Sequence, residues 1–136
     1  MKYHIIRLKT GKDLKQELQK FVDEKTIQAA FIATCVGGLE KAVLRMAGAT
    51  PSQQDVKEYI GKYEIVSLVG TVSKNGSHLH VSLSDKEGAT IGGHLKDGSL
   101  VAYTAEIVIG ELEGKIFKRF PDENTGFNEL VAEDVT

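Results

Sequence analysis

The stretch YEIVSLVGTVSKNGSHLHVSLS, from Tyr63 to Ser84, decides the fold. Its first ten residues, Tyr63–Val72, are rich in the apolar and β-branched side chains that are typical of strands. Asn75-Gly76 favours the tight turn of a β-hairpin, and the residues from Ser77 to Ser84 alternate between polar and apolar. The pattern predicts two antiparallel strands, the second of which buries one face.

The sequence on either side of this hairpin predicts one amphipathic helix. The residues from Asp13 to Lys25 carry an apolar stripe at helical spacing, with charged side chains opposite. The stripe consists of Leu14, Leu18, Phe21 and Val22. A helix of this kind packs its apolar side on a core, most simply on a sheet.

Short apolar runs separated by glycines predict further strands. They are Tyr3–Leu8, Ala29–Val36, Leu39–Ala47, Ala89–Ile91, Leu100–Ile109 and Ile116–Phe120. Gly37-Gly38 is expected to end the second of these strands. Thr50–Lys57 is expected to be a loop, with a helical turn within it as an alternative. Asp122–Leu130 is interpreted as a C-terminal turn, with a helix start or a loop that lines a site as alternatives. The order of elements indicates an α+β fold with a mostly antiparallel sheet, in a single domain over residues 1–136.

Composition and charge exclude several classes of protein. The 136 residues are 41% apolar and 26% charged, which is typical of a globular domain and not of a disordered chain. There are 17 basic and 19 acidic side chains, so the formal charge is −2, which argues against strong non-specific binding to DNA phosphates. No apolar run reaches the roughly 18–20 residues of a membrane span. The single cysteine, Cys35, indicates a reducing compartment and hence a cytoplasmic protein.

The histidines form the most informative pattern. His78 and His80 are two residues apart on a predicted strand, so their side chains share a face, and His94 follows Gly92-Gly93, which we interpret as a turn. Imidazole nitrogens are preferred ligands of zinc and similar divalent metals. Three histidines with an open fourth position form a known catalytic zinc arrangement. The spacing therefore predicts a metal site, against the alternative of three unconnected surface histidines.

Other polar residues are candidates for lining such a site. Asp85, with Glu87 and Asp97, is near the histidines in sequence and is a candidate for orienting their imidazole rings. Glu64 and Glu106 interrupt apolar strand patterns, so each of these two is expected to face water, a partner or a site. Arg119 is a candidate for binding an anion, against the alternatives of covering apolar surface or pairing with an acid. Cys35 is expected to be a core residue.

Three segments carry a resemblance to a known family. They are GKYEIVSLVGTV (Gly61–Val72), HLHVSLSDKEGATIGGHL (His78–Leu95) and VAYTAEIVIGEL (Val101–Leu112). With them, the chain from Tyr3 to about Leu130 resembles the plants-and-prokaryotes conserved (PPC) domain. This family is also catalogued as a domain of unknown function or as a predicted DNA-binding protein with a PD1-like motif. The histidine segment is the most specific part of the resemblance.

The resemblance implies several properties beyond those that the residues indicate. It implies one main helix on a curved, mostly antiparallel sheet, and assembly as a trimer. It implies that a metal, with zinc favoured, lies near a subunit interface and is held by three histidines, here His78, His80 and His94. In plants, similar domains follow AT-hook segments in nuclear DNA-binding proteins and mediate association with themselves and with other factors.

Three functional hypotheses follow. The first is a metal-binding, oligomeric, DNA-binding or regulatory protein; its direct DNA contacts are expected to be weak, because the sequence has no Arg-Gly-Arg-Pro core and no basic arm. The second is a small zinc-dependent enzyme of unknown substrate, in which Glu64, Asp85 or Glu106 is the candidate general base. The third is a trimeric scaffold whose histidines have no role.

Overall fold

The computed structural model describes all 136 residues, which form one helix and eight strands. These elements are β1 (Lys2–Lys9), α1 (Leu14–Glu24), β2 (Ala30–Arg45), β3 (Val56–Ser73), β4 (Gly76–Ser84), β5 (Thr90–Leu95), β6 (Leu100–Glu111), β7 (Lys115–Pro121) and β8 (Asn128–Asp134). The prediction of one helix with antiparallel strands is confirmed, as is the β3–β4 hairpin. The helix, with 11 residues, is too short to cross a membrane.

The six-stranded sheet has the order β1-β6-β2-β3-β4-β5, and all its pairings are antiparallel. β5 pairs with β4 on one side and also with the end of β2, through Leu44–Leu95 and Arg45–His94. Because β2, β3, β4 and β5 therefore form a closed circuit of pairings, this part of the sheet bends back on itself. The bend brings the end of β2 next to β5.

Helix α1 covers the core on one side. Asp13 precedes the helix and accepts a hydrogen bond from the backbone N–H of Gln16, which satisfies one free donor of the first turn. Leu14, Leu18 and Val22 are fully buried, as the apolar stripe predicts. They belong to a core cluster of 22 buried residues that extends through the six-stranded sheet.

Two strands that we expected to be separate are one. Ala29–Val36 and Leu39–Ala47 were expected on either side of a break at Gly37-Gly38, but β2 runs from Ala30 to Arg45 without interruption. Gly37 has a φ of 154°, and a Cβ there would overlap the backbone of Thr104 on β6. The glycines therefore allow two strands to approach closely and to pair in an irregular register, and they do not end the strand.

The segment after β7 also differs from the expectation. Asp122–Leu130 was interpreted as a C-terminal turn, but only its first part is a turn, and β8 begins at Asn128. β7 and β8 form a separate two-stranded antiparallel sheet, which together with the turn between them we call the C-terminal ribbon. β8 has few apolar residues, so its sequence carries little strand signal. Similarly, β3 begins at Val56, inside the segment that we expected to be a loop.

Candidate metal centre

The β4 strand turns two histidines to the same side of the sheet. The apolar residues that alternate with them, Leu79, Val81 and Leu83, are buried, as predicted. His78 is half-buried and His80 is exposed on the opposite face. The alternation of the strand therefore fixes the direction of both imidazoles through the burial of their neighbours.

The third histidine comes from the neighbouring strand. Gly92-Gly93 is not the turn that we expected, because β5 runs from Thr90 to Leu95 and includes both glycines. His94 lies directly opposite His80 in the antiparallel β4–β5 pairing. Directly paired residues have Cβ atoms about 4.5–5.5 Å apart, so the pairing brings His94 to the other two histidines.

The three imidazoles meet closely enough to share a metal ion. Each offers a ring nitrogen, and these nitrogens lie within 4.8 Å of one another. Nε2 of His78 is 3.1 Å from Nε2 of His80. Tetrahedral zinc with Zn–N bonds of 2.0–2.1 Å separates two ligand nitrogens by roughly 3.3 Å. The cluster therefore fits a zinc-sized ion with small adjustments of the side chains.

The surroundings keep two of these rings in the form that binds metals. Burial, followed by the charge of Arg45, lowers the pKa of His94 to about 3. Burial, followed by the charges of His80 and Arg119, lowers the pKa of His78 from its ordinary 6.5. Both rings are therefore neutral near pH 7, and a neutral imidazole has one nitrogen lone pair for a ligand bond.

Backbone geometry at Gly70 supports the position of His78. Gly70 lies on β3 with a φ of 144°, which L-residues with a side chain rarely adopt. A Cβ at this position would overlap the carbonyl oxygen of His78 on β4. The two strands therefore approach closely at the residue that begins the histidine pair.

Open clefts on the histidine side of the sheet include residues from β2 and the C-terminal ribbon. One cleft is lined by His78, His80, Arg119 and Glu129 together with four other residues. A second contains Arg45, His78, His94, Arg119, Phe127 and Glu129 among its ten lining residues. Of these, Arg119 was a sequence candidate, whereas Arg45, Phe127 and Glu129 were missed. Phe127 and Glu129 lie within Asp122–Leu130, for which a site-lining loop was the alternative interpretation.

The other sequence candidates lie elsewhere. Glu64 and Asp85 line a separate cleft with Tyr63 and Tyr103. The Asp85 carboxylate accepts hydrogen bonds from the backbone N–H groups of Glu87 and Ala89, within the turn that joins β4 to β5.

Glu106 is exposed on β6, between Arg7 of β1 and Val36 of β2. Cys35 is buried, and burial raises the pKa of its thiol to about 12, which suits the expected core residue. The structure thus brings Arg119, but none of the acidic candidates, into the clefts beside the histidines.

Comparison with known sequences identifies relatives in cyanobacteria and plants. The chain is 39% identical over 137 residues to the bifunctional protein GlmU of Synechococcus sp. (strain JA-3-3Ab). The matched region covers 99% of this chain and 21% of that protein. It is 34% identical over 117 residues to AT-hook motif nuclear-localized protein 13 of Arabidopsis thaliana, with 79% of this chain and 26% of that protein covered. The chain thus spans about a fifth to a quarter of the length of these relatives.

Two solved structures have the same fold. A hypothetical protein from Salmonella is 37% identical, with a TM-score of 0.92 over 98% of this chain and 94% of that one. The metal-containing protein AF0104 of Archaeoglobus fulgidus is 34% identical, with a TM-score of 0.84 over 96% of this chain and 94% of that one. The model of the Plants and Prokaryotes Conserved (PCC) domain matches residues 1–113, a range that includes all three histidines. The chain therefore belongs to the Plants and Prokaryotes Conserved domain family, the family that the sequence motifs resemble.

Proposed function

We propose that this protein is a homo-oligomeric regulatory protein that holds one divalent metal ion, with zinc favoured, through His78, His80 and His94. The convergence of the three ring nitrogens within 4.8 Å carries the proposal. Similarity to a metal-containing archaeal protein supports it independently. Three imidazole ligands leave a coordination position open, and a metal bound there would act as a Lewis acid toward a ligand at that position.

The metal part of the proposal is tested by elemental analysis of the purified protein. We expect about one zinc per chain for the wild type and a large loss of zinc for His80→Ala, because His80 is exposed and supplies one of three ligands. His4→Gln is the matched control. His4 bonds to Glu111 at 2.6 Å, on β1 and β6, and glutamine keeps a donor there. A metal-free wild type that does not take up added zinc would contradict the proposal.

Exposed apolar side chains support the oligomeric part. Val36 and Tyr103 are 57% and 69% exposed and line one cleft, and Ile5 on the neighbouring strand β1 is 79% exposed. Apolar surface of this kind is typical of interfaces between subunits. We propose that the whole chain, as one domain, forms a trimer. Light scattering coupled to gel filtration should then give three times 14.8 kDa, whereas a monomer mass would reject the trimer.

The regulatory part rests on family membership and on the similarity to a plant AT-hook protein. With a formal charge of −2, this chain is expected to bind DNA weakly, with strong salt dependence and no sequence preference. We therefore propose that it acts mainly through protein contacts in a reducing, cytoplasmic environment, where Cys35 stays a free thiol. An anisotropy titration with tight, sequence-specific DNA binding at physiological salt would overturn this part.

The second candidate function is a zinc-dependent enzyme. The observation that favours it is the pair of open clefts beside the histidines, lined by Arg119 and Glu129. Among the acidic residues it is Glu129, and not Glu64 or Asp85, that lines these clefts with His78, so Glu129 is the candidate proton acceptor. Zinc-dependent hydrolysis of p-nitrophenyl acetate that Glu129→Gln abolishes without loss of zinc would support an enzyme. Equal rates in the two proteins would reject it.

A further inference from the structure

Two guanidinium groups flank the histidine cluster from different elements. Arg45 lies at the end of β2, directly opposite His94, and its Nη2 is 3.4 Å from Nδ1 of that ring. Arg119 lies on β7, and its Nη2 donates a hydrogen bond of 2.8 Å to Oγ1 of Thr71. Both arginines are half-buried and line the cleft that contains His78 and His94.

Neither guanidinium is used in an ion pair. The eight ion pairs in the structure use the N-terminus, His4 and six lysines as their basic partners. Lys96 adds a further positive charge that acts on His94. Glu129 is the carboxylate that lines the same cleft, and its charge acts on both His78 and Arg119. Arg45, Arg119 and Lys96 thus outnumber Glu129 among the charged side chains that act on the histidines, and a divalent metal would increase the positive excess.

The hydrogen bond from Arg45 Nη2 to Nδ1 of His94 cannot coexist with ligation of a metal by His94. A neutral imidazole has a single nitrogen lone pair, and its other ring nitrogen carries a proton. If Nδ1 accepts a hydrogen bond from Arg45, Nε2 is protonated and cannot bind a metal; if either nitrogen binds a metal, Nδ1 has no lone pair for Arg45. If His94 bound a metal, an Arg45 N–H would therefore be free for another acceptor in the cleft.

Phe127 supports the position of Arg45. The guanidinium carbon of Arg45 lies 4.7 Å from the centroid of the Phe127 ring. A cation over an aromatic face is held by electrostatic attraction while its N–H edges remain free for ligands. The C-terminal ribbon thus contributes Arg119 directly and positions Arg45 through Phe127.

From these contacts we infer that the open side of the histidine cluster binds a small anion, a carboxylate or phosphate group, through the N–H groups of Arg45 and Arg119. This inference rests on the proposed metal function, because the metal and the two guanidinium groups would together face the same ligand. Planar guanidinium groups match the geometry of carboxylate and phosphate oxygens. The substrate or effector of the site is therefore an organic acid or a phosphate compound.

The inference is tested by calorimetric titration with two probes, inorganic phosphate and malonate. The samples are the wild type, Arg45→Gln, Arg119→Gln and the control Arg7→Gln, each with one equivalent of zinc and also metal-free. Arg7 is exposed and bonds to Thr104, apart from the histidines. We expect the first two variants to weaken the better probe about 10-fold or more, because each removes charge-assisted hydrogen bonds. Arg7→Gln should leave the affinity unchanged. Arg119→Lys, which keeps the charge but not the planar fork, replaces Arg119→Gln if that variant does not fold.

The outcomes separate the two proposals. Tighter phosphate binding assigns a phosphate ligand, and tighter malonate binding assigns a carboxylate ligand. The anion site is rejected and the metal site stands if zinc is retained but neither probe binds. The same holds if the wild type and the three variants all bind the better probe with equal affinity. If zinc is not retained but the metal-free protein binds a probe in an arginine-dependent manner, the metal function fails and the anion site stands.

Discussion

The strands that carry the histidines and the ribbon that carries Arg119 differ in how much of their surface packs against the core. On β4, every second side chain enters the core, and Leu79, Val81 and Leu83 are buried next to the two histidines. On the C-terminal ribbon, Phe117 is the one buried side chain. The backbone carbonyl of Phe117 also accepts a hydrogen bond from the side-chain amide of Asn75 in the β3–β4 turn.

This difference separates the two tasks of the candidate site. The proposed metal ligands project from a sheet whose opposite face is packed, so their geometry follows from the core. The residues that surround them on the ribbon, Arg119, Phe127 and Glu129, belong to a lightly packed element outside the part matched by the family model. Changes in the ribbon can therefore alter what binds beside the histidines without disturbing the histidines themselves.

The largest expected effect comes from removing core contacts under β4. Leu83→Ala should lower the free energy of unfolding by about 2–5 kcal/mol, because Leu83 is fully buried and leaves a cavity. Leu130→Ala on the ribbon, where the side chain is 40% exposed, should cost less than about 1 kcal/mol. Urea unfolding monitored by circular dichroism measures both values. Equal losses would mean that the ribbon is packed as firmly as the sheet.

A pair of glycine substitutions compares the backbone of the two regions. Gly70→Ala should cost about 1–3 kcal/mol or more, since it forces an unfavourable φ and a collision with the His78 carbonyl. Gly114, at the start of the ribbon, has a φ of 80°, but no atom lies within 4 Å of a Cβ added there. Gly114→Ala should therefore lower the free energy of unfolding by only about 1 kcal/mol. Thermal unfolding compares the two variants, and zinc content should fall only for Gly70→Ala. Retention of full zinc content by Gly70→Ala would show that close strand approach is not needed at His78.

The pH dependence of stability should originate in the sheet. The pKa of His94 is about 3 in the folded protein and about 6.5 in an unfolded chain, so below pH 6.5 the unfolded state takes up the proton first. Lowering the pH from about 6.5 toward 3 therefore destabilises the folded protein, and His78 adds to the same trend.

Thermal unfolding of metal-free protein between pH 7 and pH 4 measures this trend. We expect a decrease of several degrees, and a smaller decrease for His94→Gln because that variant lacks the group. An identical pH profile for the two proteins would contradict the burial of His94.

The smallest expected effect concerns the ribbon alone. Phe127→Leu removes the aromatic face beneath Arg45 but keeps an apolar side chain at the same place. We expect anion affinity to fall about 2–5-fold, in line with a cation–π contribution of about 0.5–1 kcal/mol at a partly exposed site. Zinc content and the free energy of unfolding should stay near wild type. A loss of zinc would mean that the ribbon also positions the metal ligands.

Local patterns predicted most elements, and their failures have physical causes. The helix, the β3–β4 hairpin and the burial of Leu79, Val81 and Leu83 follow from periodicity and turn chemistry. Gly37-Gly38 and Gly92-Gly93 were misinterpreted because glycine marks a turn in one context and close strand approach in another. β8 was missed because an exposed, mostly polar strand has little apolar alternation.

The sequence by itself determined the fold class and the family through the order of its elements and its motifs. It also determined the shared face of His78 and His80, because side chains two residues apart on a strand point to the same side. Only the tertiary structure decided that His94 pairs with His80 across two strands and that Arg45 lies opposite His94. It also decided that Arg119, Phe127 and Glu129 line the clefts beside the histidines, whereas Glu64 and Asp85 line another. These relations depend on strand register and on the bend that joins β5 to β2. Register and bend arise from packing between residues far apart in the chain, and therefore leave no local pattern in the sequence.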